Sequence, residues 1–336
     1  MVGSNPVVFG CERAVNKIYI REVKGSSEKL KNYKEIFTVE IENKILLVKE
    51  LPDGSPVRIP YFIVDSKNNG PATGIVATQH GNEFFSIVIL KEFLKTKYPL
   101  KGKIIIFPVA NPLAYNVKER TSRIDRKDMN RCWPGKEDGV ITEKMCYGMF
   151  RILNRCGCVL DLHNGNDNIL DTPQARLYKG RYADVRDLVD HLDVPFILLR
   201  KKPLENTLVG SLLDENITAI TVELGEGKRI THDYITKGLN IIDSFLRHTG
   251  NLSKPRTFRS ILIDDDKMRL VTAENSGLFI PNIQQLGEKT DDLGKLITFP
   301  DFSEKRIRTP TKGHILSLWV GGVIARGELL ARITKD

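Results

Sequence analysis

The sequence predicts an α/β protein: a largely parallel or mixed sheet covered by helices on both faces, followed by a smaller all-β domain. Three observations carry this expectation. Short apolar, β-branched runs alternate with helically spaced segments from about residue 74 to residue 247. Polar, chemistry-bearing residues (His80, Asn111, His163, Glu223) fall just after such runs, at the carboxyl ends where open α/β sheets collect their ligands. Beyond Gly250-Asn251-Leu252-Ser253-Lys254-Pro255 the helical pattern stops, and short strands broken by Gly, Pro and Asp take over.

Each element follows from local pattern. Ile36–Ile41 and Lys44–Val48 read as an antiparallel pair around Glu42-Asn43, Pro52–Pro56 as a turn and Val57–Val64 as a strand. Ile75–Thr78 is a short buried strand, Phe84–Leu94 has helical spacing, and Ile104–Phe107 is strand again. Thr142–Leu153 suits a helix, Val159–Leu162 a strand, and Tyr182–Leu192 a helix. Pro195–Leu199 then reads as strand, Leu208–Glu215 as helix, Ala219–Leu224 as strand and Thr231–Arg247 as a long helix. The expected division is a catalytic domain over 1–254, with an N-terminal β segment to about residue 70, and a C-terminal β domain over 255–336.

Bulk composition narrows the function classes. The chain has 336 residues, 41% hydrophobic and 28% charged, which suits a soluble globular protein. No run approaches the roughly 18 apolar residues of a membrane span, and Met1–Pro6 lacks a secretory start; the expected location is cytoplasmic, with no membrane partner. Five cysteines without a Cys-x-x-Cys pair read as buried thiols. The net charge of +9 is scattered, dense only from Arg120 to Arg131. That pattern fits a solvated basic surface or an anionic small substrate better than nucleic acid.

The chemistry concentrates in a few motifs. His80 and Glu83, in Gln79-His80-Gly81-Asn82-Glu83, are spaced to serve as two ligands of one zinc ion. Such a pair is weak evidence by itself. It gains weight because Asp161-Leu162-His163 offers a third ligand at the end of a strand. Two His and one carboxylate with an open position make a hydrolytic zinc site, one ion per subunit, where bound water loses its proton easily. Asp161 reads equally as an acceptor that orients a ligand histidine or as a carboxylate satisfying strand-end backbone. Glu223, following β-branched residues in a buried strand, is the candidate general base; Glu226, in a Gly-rich loop, reads as solvated. Asn111, Asn130 and Arg131 suit an anionic substrate, and Arg131 is able to grip a carboxylate with two hydrogen bonds. Arg120, Arg123 and Arg126 compete on spacing for a place near the developing oxyanion.

Taken in order, His80-Gly81-Asn82-Glu83, Asn111-Pro112, Asp128-Met129-Asn130-Arg131, Asp161-Leu162-His163-Asn164 and Val222-Glu223-Leu224-Gly225 resemble the succinylglutamate desuccinylase/aspartoacylase family of the zinc carboxypeptidase-like superfamily. The resemblance covers most of the chain. It implies a zinc-carboxypeptidase-like mixed sheet, with His80, Glu83 and His163 as metal ligands and Glu223 as general base. Asn130 and Arg131 would bind the substrate carboxylate. The family's carbonyl-polarising arginine, seven positions before the motif asparagine, falls on Arg123. Ser276–Pro281, Leu286–Lys289 and Gly322–Ala331 look like the barrel-sandwich-like C-terminal domain of the deacylase-type members, and no carrier lysine stands in the expected hairpin. The loop Asn164-Gly165-Asn166-Asp167 gives no specificity determinant, so no member's substrate transfers.

The leading expectation is therefore a zinc-dependent amidohydrolase acting on a small anionic N-acyl amino acid or N-acylated amine. A carboxypeptidase acting on short peptides is the alternative enzyme, and a binding protein that has lost catalysis is the alternative of another class. Assembly into a homo-oligomer is left open.

Overall fold

A computed structural model of the chain describes residues 14–15 and 39–335, apart from 52 and 97. Cys11 and the start of the strand expected from Ile36 lie outside the described residues. The N-terminal part consists of β1 (Ala14–Val15), β2 (Glu40–Glu50) and β3 (Pro56–Asp65). The alternating part runs β4 (Ala72–Ala77), α1 (Phe85–Lys95), β5 (Lys103–Phe107), α2 (Pro112–Val117) and α3 (Ile141–Leu153). It continues with β6 (Cys158–Gly165), β7 (Ile169–Tyr178), α4 (Tyr182–Asp190), β8 (Phe196–Arg200), α5 (Leu208–Asp214), β9 (Thr218–Glu226) and α6 (His232–His248). The remainder is β10 (Ile261–Asp264), β11 (Met268–Thr272), β12 (Gly277–Pro281), β13 (Lys289–Ile297), β14 (Glu304–Trp319), β15 (Val323–Ile324) and β16 (Leu329–Thr334).

The centre of the sheet is β5-β4-β6-β9, all parallel. From β4 the chain moves through α1 to β5 on one side; from β5 it returns past β4 to β6 on the other. Right-handed crossovers in opposite directions place α1 and α3 on opposite faces. They also leave a crevice at the carboxyl ends of β4 and β6, the switch point where α/β proteins bind ligands. α1 buries Phe85, Ile89 and Phe93, one stripe at i, i+4, i+8. Against it lies α6, where a Cβ on Gly238 would come within 2.4 Å of Ile89 Cδ1. Glycine there lets the two helices close on one another, and each buried aromatic ring contributes about 1.5–3 kcal/mol.

Two strand expectations are corrected. The Glu42-Asn43 reversal does not occur: β2 runs straight through it, with Asn43 opposite Phe62 of β3, and the hairpin turn is at Asp53-Gly54 instead. Glu42 and Asn43 are polar because this strand lies near the edge of the sheet, not because the chain turns. The ten-residue β7 was not expected. Pro173 interrupts its pattern, as a proline inside a strand should, and the ladder with β9 shifts register between Asp171 and Gln174 to accommodate it.

The C-terminal region is rich in strands and has its own apolar cluster around Phe279, Leu293, Ile315 and Ile333. Its strands nevertheless join the central sheet: β10 runs parallel to β8, and β14 pairs antiparallel with β7. We keep the 254/255 division as a proposal, supported by the separate cluster. No helix among the described residues is long and apolar enough to cross a membrane. Four cysteines, Cys132, Cys146, Cys156 and Cys158, are free and buried, and burial pushes the Cys156 and Cys158 thiols up to about 12.

Candidate metal centre

At the β4/β6 crevice the chain leaves β4 through Thr78, in left-handed backbone at φ 55°, and turns tightly over Gln79–Glu83. A Cβ at Gly81 would fall 2.0 Å from the Ala114 carbonyl carbon, so only glycine lets this turn lie on α2. α2 is fixed in turn by Asn111, whose side-chain oxygen accepts from the Ala114 amide at 3.0 Å. Asn111 thus caps the helix that carries the turn, a role its sequence context did not reveal.

His80, Glu83 and His163 come together, each 3–5% exposed, with one ligand atom apiece within 4.8 Å of the other two. Glu83 bridges the two rings: its Oε1 is 2.7 Å from His80 Nδ1 and its Oε2 2.8 Å from His163 Nδ1. Each imidazole is backed on its far nitrogen by another carboxylate. His80 Nε2 is 3.0 Å from Asp128 Oδ1, and His163 Nε2 is 3.2 Å from Asp161 Oδ2. Asp161 is itself held by Gln79 Nε2 at 2.7 Å and Thr221 Oγ1 at 3.1 Å. Trp133 Nε1 donates to Gln79 Oε1 at 2.8 Å and fixes that amide.

Three carboxylates around two imidazoles make a pocket that demands positive charge. Burial opposes an imidazolium at His80, yet Glu83 and Asp128 outweigh it and its pKa is raised. At His163 burial is likewise overcome, by Asp161 and Glu83, and the pKa stands well above the ordinary value. Burial pushes Glu83 up, but His80 and His163 hold it well below the usual carboxylate range. The donor set fits a zinc ion: both Nδ1 atoms and a carboxylate converge, and both Nε2 atoms have carboxylate acceptors that set the tautomer. A divalent cation there would meet the same demand for positive charge.

Glu223 is the direct neighbour of His163 in the β6/β9 ladder, so both project from the same face of the sheet. Its Oε1 accepts from Arg176 Nη1 at 2.8 Å. Burial raises its pKa, with Arg176 and His163 pulling the other way. Arg176 also lies 3.6 Å from Asp171, which bonds Ser317 Oγ of β14 and lies 3.9 Å from Arg332 of β16. The C-terminal strands are thereby tied to the Glu223 carboxylate through two side chains. Gln174 stands opposite Glu223 in the β7/β9 ladder, fully buried, and its amide finds no partner among the described residues. Glu226 is not solvated: it is 7% exposed at the end of β9 and pairs with Arg229 at 3.3 Å.

The arginines divide differently from their spacing. Arg123 is exposed and bonded to Glu119, 3.0 Å from its Nε, with no contact to the trio among the described residues. Arg120 is the one that reaches it, donating to Asp128 Oδ2 at 2.8 Å and standing 3.5 Å from Glu83 Oε1. Asn130 lies at the rim: its Nδ2 is 3.4 Å from His163 Nε2, and its Oδ1 accepts from the Leu208 amide at 3.1 Å. Arg131, next along the turn, is exposed and bonds the Asn130 carbonyl. Sequence reasoning missed Gln79, Trp133 and Arg176. None left a signal of its role: Arg176 follows Asp171-Thr172-Pro173-Gln174 and precedes Lys179 closely, a stretch that reads as polar.

Residues 69–249 match the family model described as the succinylglutamate desuccinylase/aspartoacylase catalytic domain. A relative from Halomonas elongata, named N-alpha-acetyl-L-2,4-diaminobutyric acid deacetylase, is 27% identical over 243 residues, 66% of this chain and 68% of the relative. A succinylglutamate desuccinylase/aspartoacylase structure from Rhodobacter sphaeroides aligns with a TM-score of 0.72 at 19% identity, covering 88% of this chain and 95% of the other. The product-bound ectoine utilization protein EutE (DoeB) of Ruegeria pomeroyi does so with 0.72 at 23% identity, over 88% and 95%. These structural likenesses are of fold.

Proposed function

Because this chain belongs to the succinylglutamate desuccinylase/aspartoacylase family, we propose that it is a zinc-dependent hydrolase of linear amides. Its substrate would be a small N-acyl amino acid or related N-acylated amine, from which it removes the acyl group. The observation that carries this reading is the convergence of His80, Glu83 and His163 at the switch point with Glu223 beside them on the next strand. The Halomonas relative is named for an N-acetylated diamino acid, which makes N-acetylated amino acids the first substrates to test.

A zinc ion held by His80, Glu83 and His163 would supply a Lewis acid for the amide carbonyl and lower the pKa of the attacking water. The chain's own residues do the rest. Asp128 and Asp161 hold the two rings with Nδ1 toward the centre. The Glu223 carboxylate accepts the water's proton and returns it to the departing amine nitrogen; burial raises its pKa, which makes it a better proton acceptor than a solvated carboxylate. Arg176 fixes the Glu223 carboxylate. Asn130 and Arg131 are proposed to hold the substrate's carboxylate, which the net charge of +9 also favours. For the guanidinium that faces the developing oxyanion, the family pattern supports Arg123 and proximity supports Arg120; Ala substitution at each assigns the role to whichever lowers kcat with little change in KM.

The test is a panel of N-acetyl and N-succinyl amino acids beside short peptides, assayed with zinc-loaded protein. Release of free amine from the N-acyl compounds is expected. Faster cleavage of peptides would move the assignment to a carboxypeptidase, and absence of both zinc and hydrolysis would leave only a binding role.

A further inference from the structure

Two histidines and a carboxylate meet a second time in the molecule, on the helical layer. Asp187 lies in α4 and His191 caps its C-terminus, while His248 is the last residue of α6. One ligand atom from each falls within 4.8 Å of the others, and the two rings stand 5.5 Å apart between centroids. His191 Nδ1 donates to the Asp187 carbonyl oxygen at 2.7 Å and lies 3.7 Å from Asp187 Oδ1; with that nitrogen protonated, the lone pair the ring offers to a metal is on Nε2. His248 Nδ1 is 3.7 Å from Asp187 Oδ2. That gap is too long for a hydrogen bond, and it lies near the separation of about 3.3 Å that two ligands show on one tetrahedral zinc. Both imidazoles sit at helix C-termini, whose partial negative charge favours a cation. Asp187 is 85% exposed on its side chain, so the cluster opens to solvent. Burial, with His191 adding to it, lowers the His248 pKa despite Asp187, which keeps that ring neutral near neutral pH.

We propose that Asp187, His191 and His248 form a second metal site, one that takes a divalent transition ion such as Zn²⁺ or Ni²⁺ through two imidazoles, one carboxylate and solvent and ties α4 to α6. The proposal does not rest on the deacylase reading, since no residue is shared between the two clusters.

The test is zinc stoichiometry by equilibrium dialysis of the full chain, with thermal melting alongside. The unaltered protein should bind two equivalents; His191→Ala and His248→Ala should each bind one. A His80→Ala/His163→Ala protein should also bind one, and that equivalent should raise its melting temperature and disappear when His248→Gln is added. Far-UV circular dichroism checks that each variant is folded. The site is refuted if the His80→Ala/His163→Ala protein takes up no stoichiometric zinc, or if its bound zinc is indifferent to His248→Gln. If the unaltered protein binds one equivalent that only His191 or His248 substitution removes, the second site stands and the strand-end reading fails.

Discussion

The two His–His–carboxylate clusters use the same ligand types and differ in everything around them. At the strand ends, Glu83 is 5% exposed and each far imidazole nitrogen meets a carboxylate. On the helices, the carboxylate of Asp187 is largely in water, and one backbone carbonyl orients one ring. Burying ionised groups costs several kcal/mol apiece unless a network repays it. The strand-end cluster bears that cost with Asp161, Asp128, Gln79 and Trp133 as its supports, whereas the helical cluster avoids it by staying wet. Ligand identity is thus shared, and the surrounding residues decide which cluster can hold an ion rigidly enough for chemistry.

The largest effect should come from Glu223→Gln, which keeps the shape and removes the proton acceptor. A fall in kcat of about 10²–10⁴-fold is expected with zinc content unchanged; an undiminished rate would take Glu223 out of the mechanism. Next, Arg176→Gln leaves Glu223 and Asp171 without their shared cation and should destabilise the fold by up to about 3–5 kcal/mol in denaturant titration. Arg176 is what chiefly opposes the burial-driven rise of the Glu223 pKa, so its loss raises that pKa further. The acid limb of kcat/KM must then move to higher pH, and a shift the other way would exclude Glu223 as the titrating base.

Asp161→Asn sharpens the contrast between the clusters. Weakening the acceptor behind His163 should lower zinc affinity at the strand ends by about 10–100-fold and leave the helical site untouched. Equal loss at both sites in competition with a chelator would mean that general destabilisation, not ligand support, had been measured. Smallest is Ser317→Ala, which deletes the hydrogen bond from β14 to Asp171. A stability loss of about 1 kcal/mol is expected, with kcat altered less than by Arg176→Gln. A larger drop in kcat than in stability would give the C-terminal strands a direct hold on the base.

The sheet centre was legible because its signals are local. β4, β6 and β9 are apolar runs of strand length; His80 and Glu83 follow β4, and His163 and Glu223 lie within β6 and β9, near their carboxyl ends. β7 was hidden by Pro173 and by the charges of Asp171 and Arg176, which read as loop because nothing in their neighbours shows that they will be buried. Asp128 carried no role of its own in the sequence, and only the fold sets it behind His80. Arg120 and Arg123 are indistinguishable three residues apart, until the fold turns one toward Asp128 and the other toward Glu119.

By itself the sequence determined the alternating architecture, the family and the residue types of the candidate metal centre, since periodicity and motif order are properties of neighbouring residues. Tertiary structure alone decided which groups support those ligands, which arginine approaches them and that two helix ends bring Asp187, His191 and His248 together. The physical reason is reach. A side-chain contact acts over about 3–4 Å, and whether residues 48 or 82 positions apart come that close, as His80 and Asp128 or Gln79 and Asp161 do, depends on crossover geometry that local pattern does not encode.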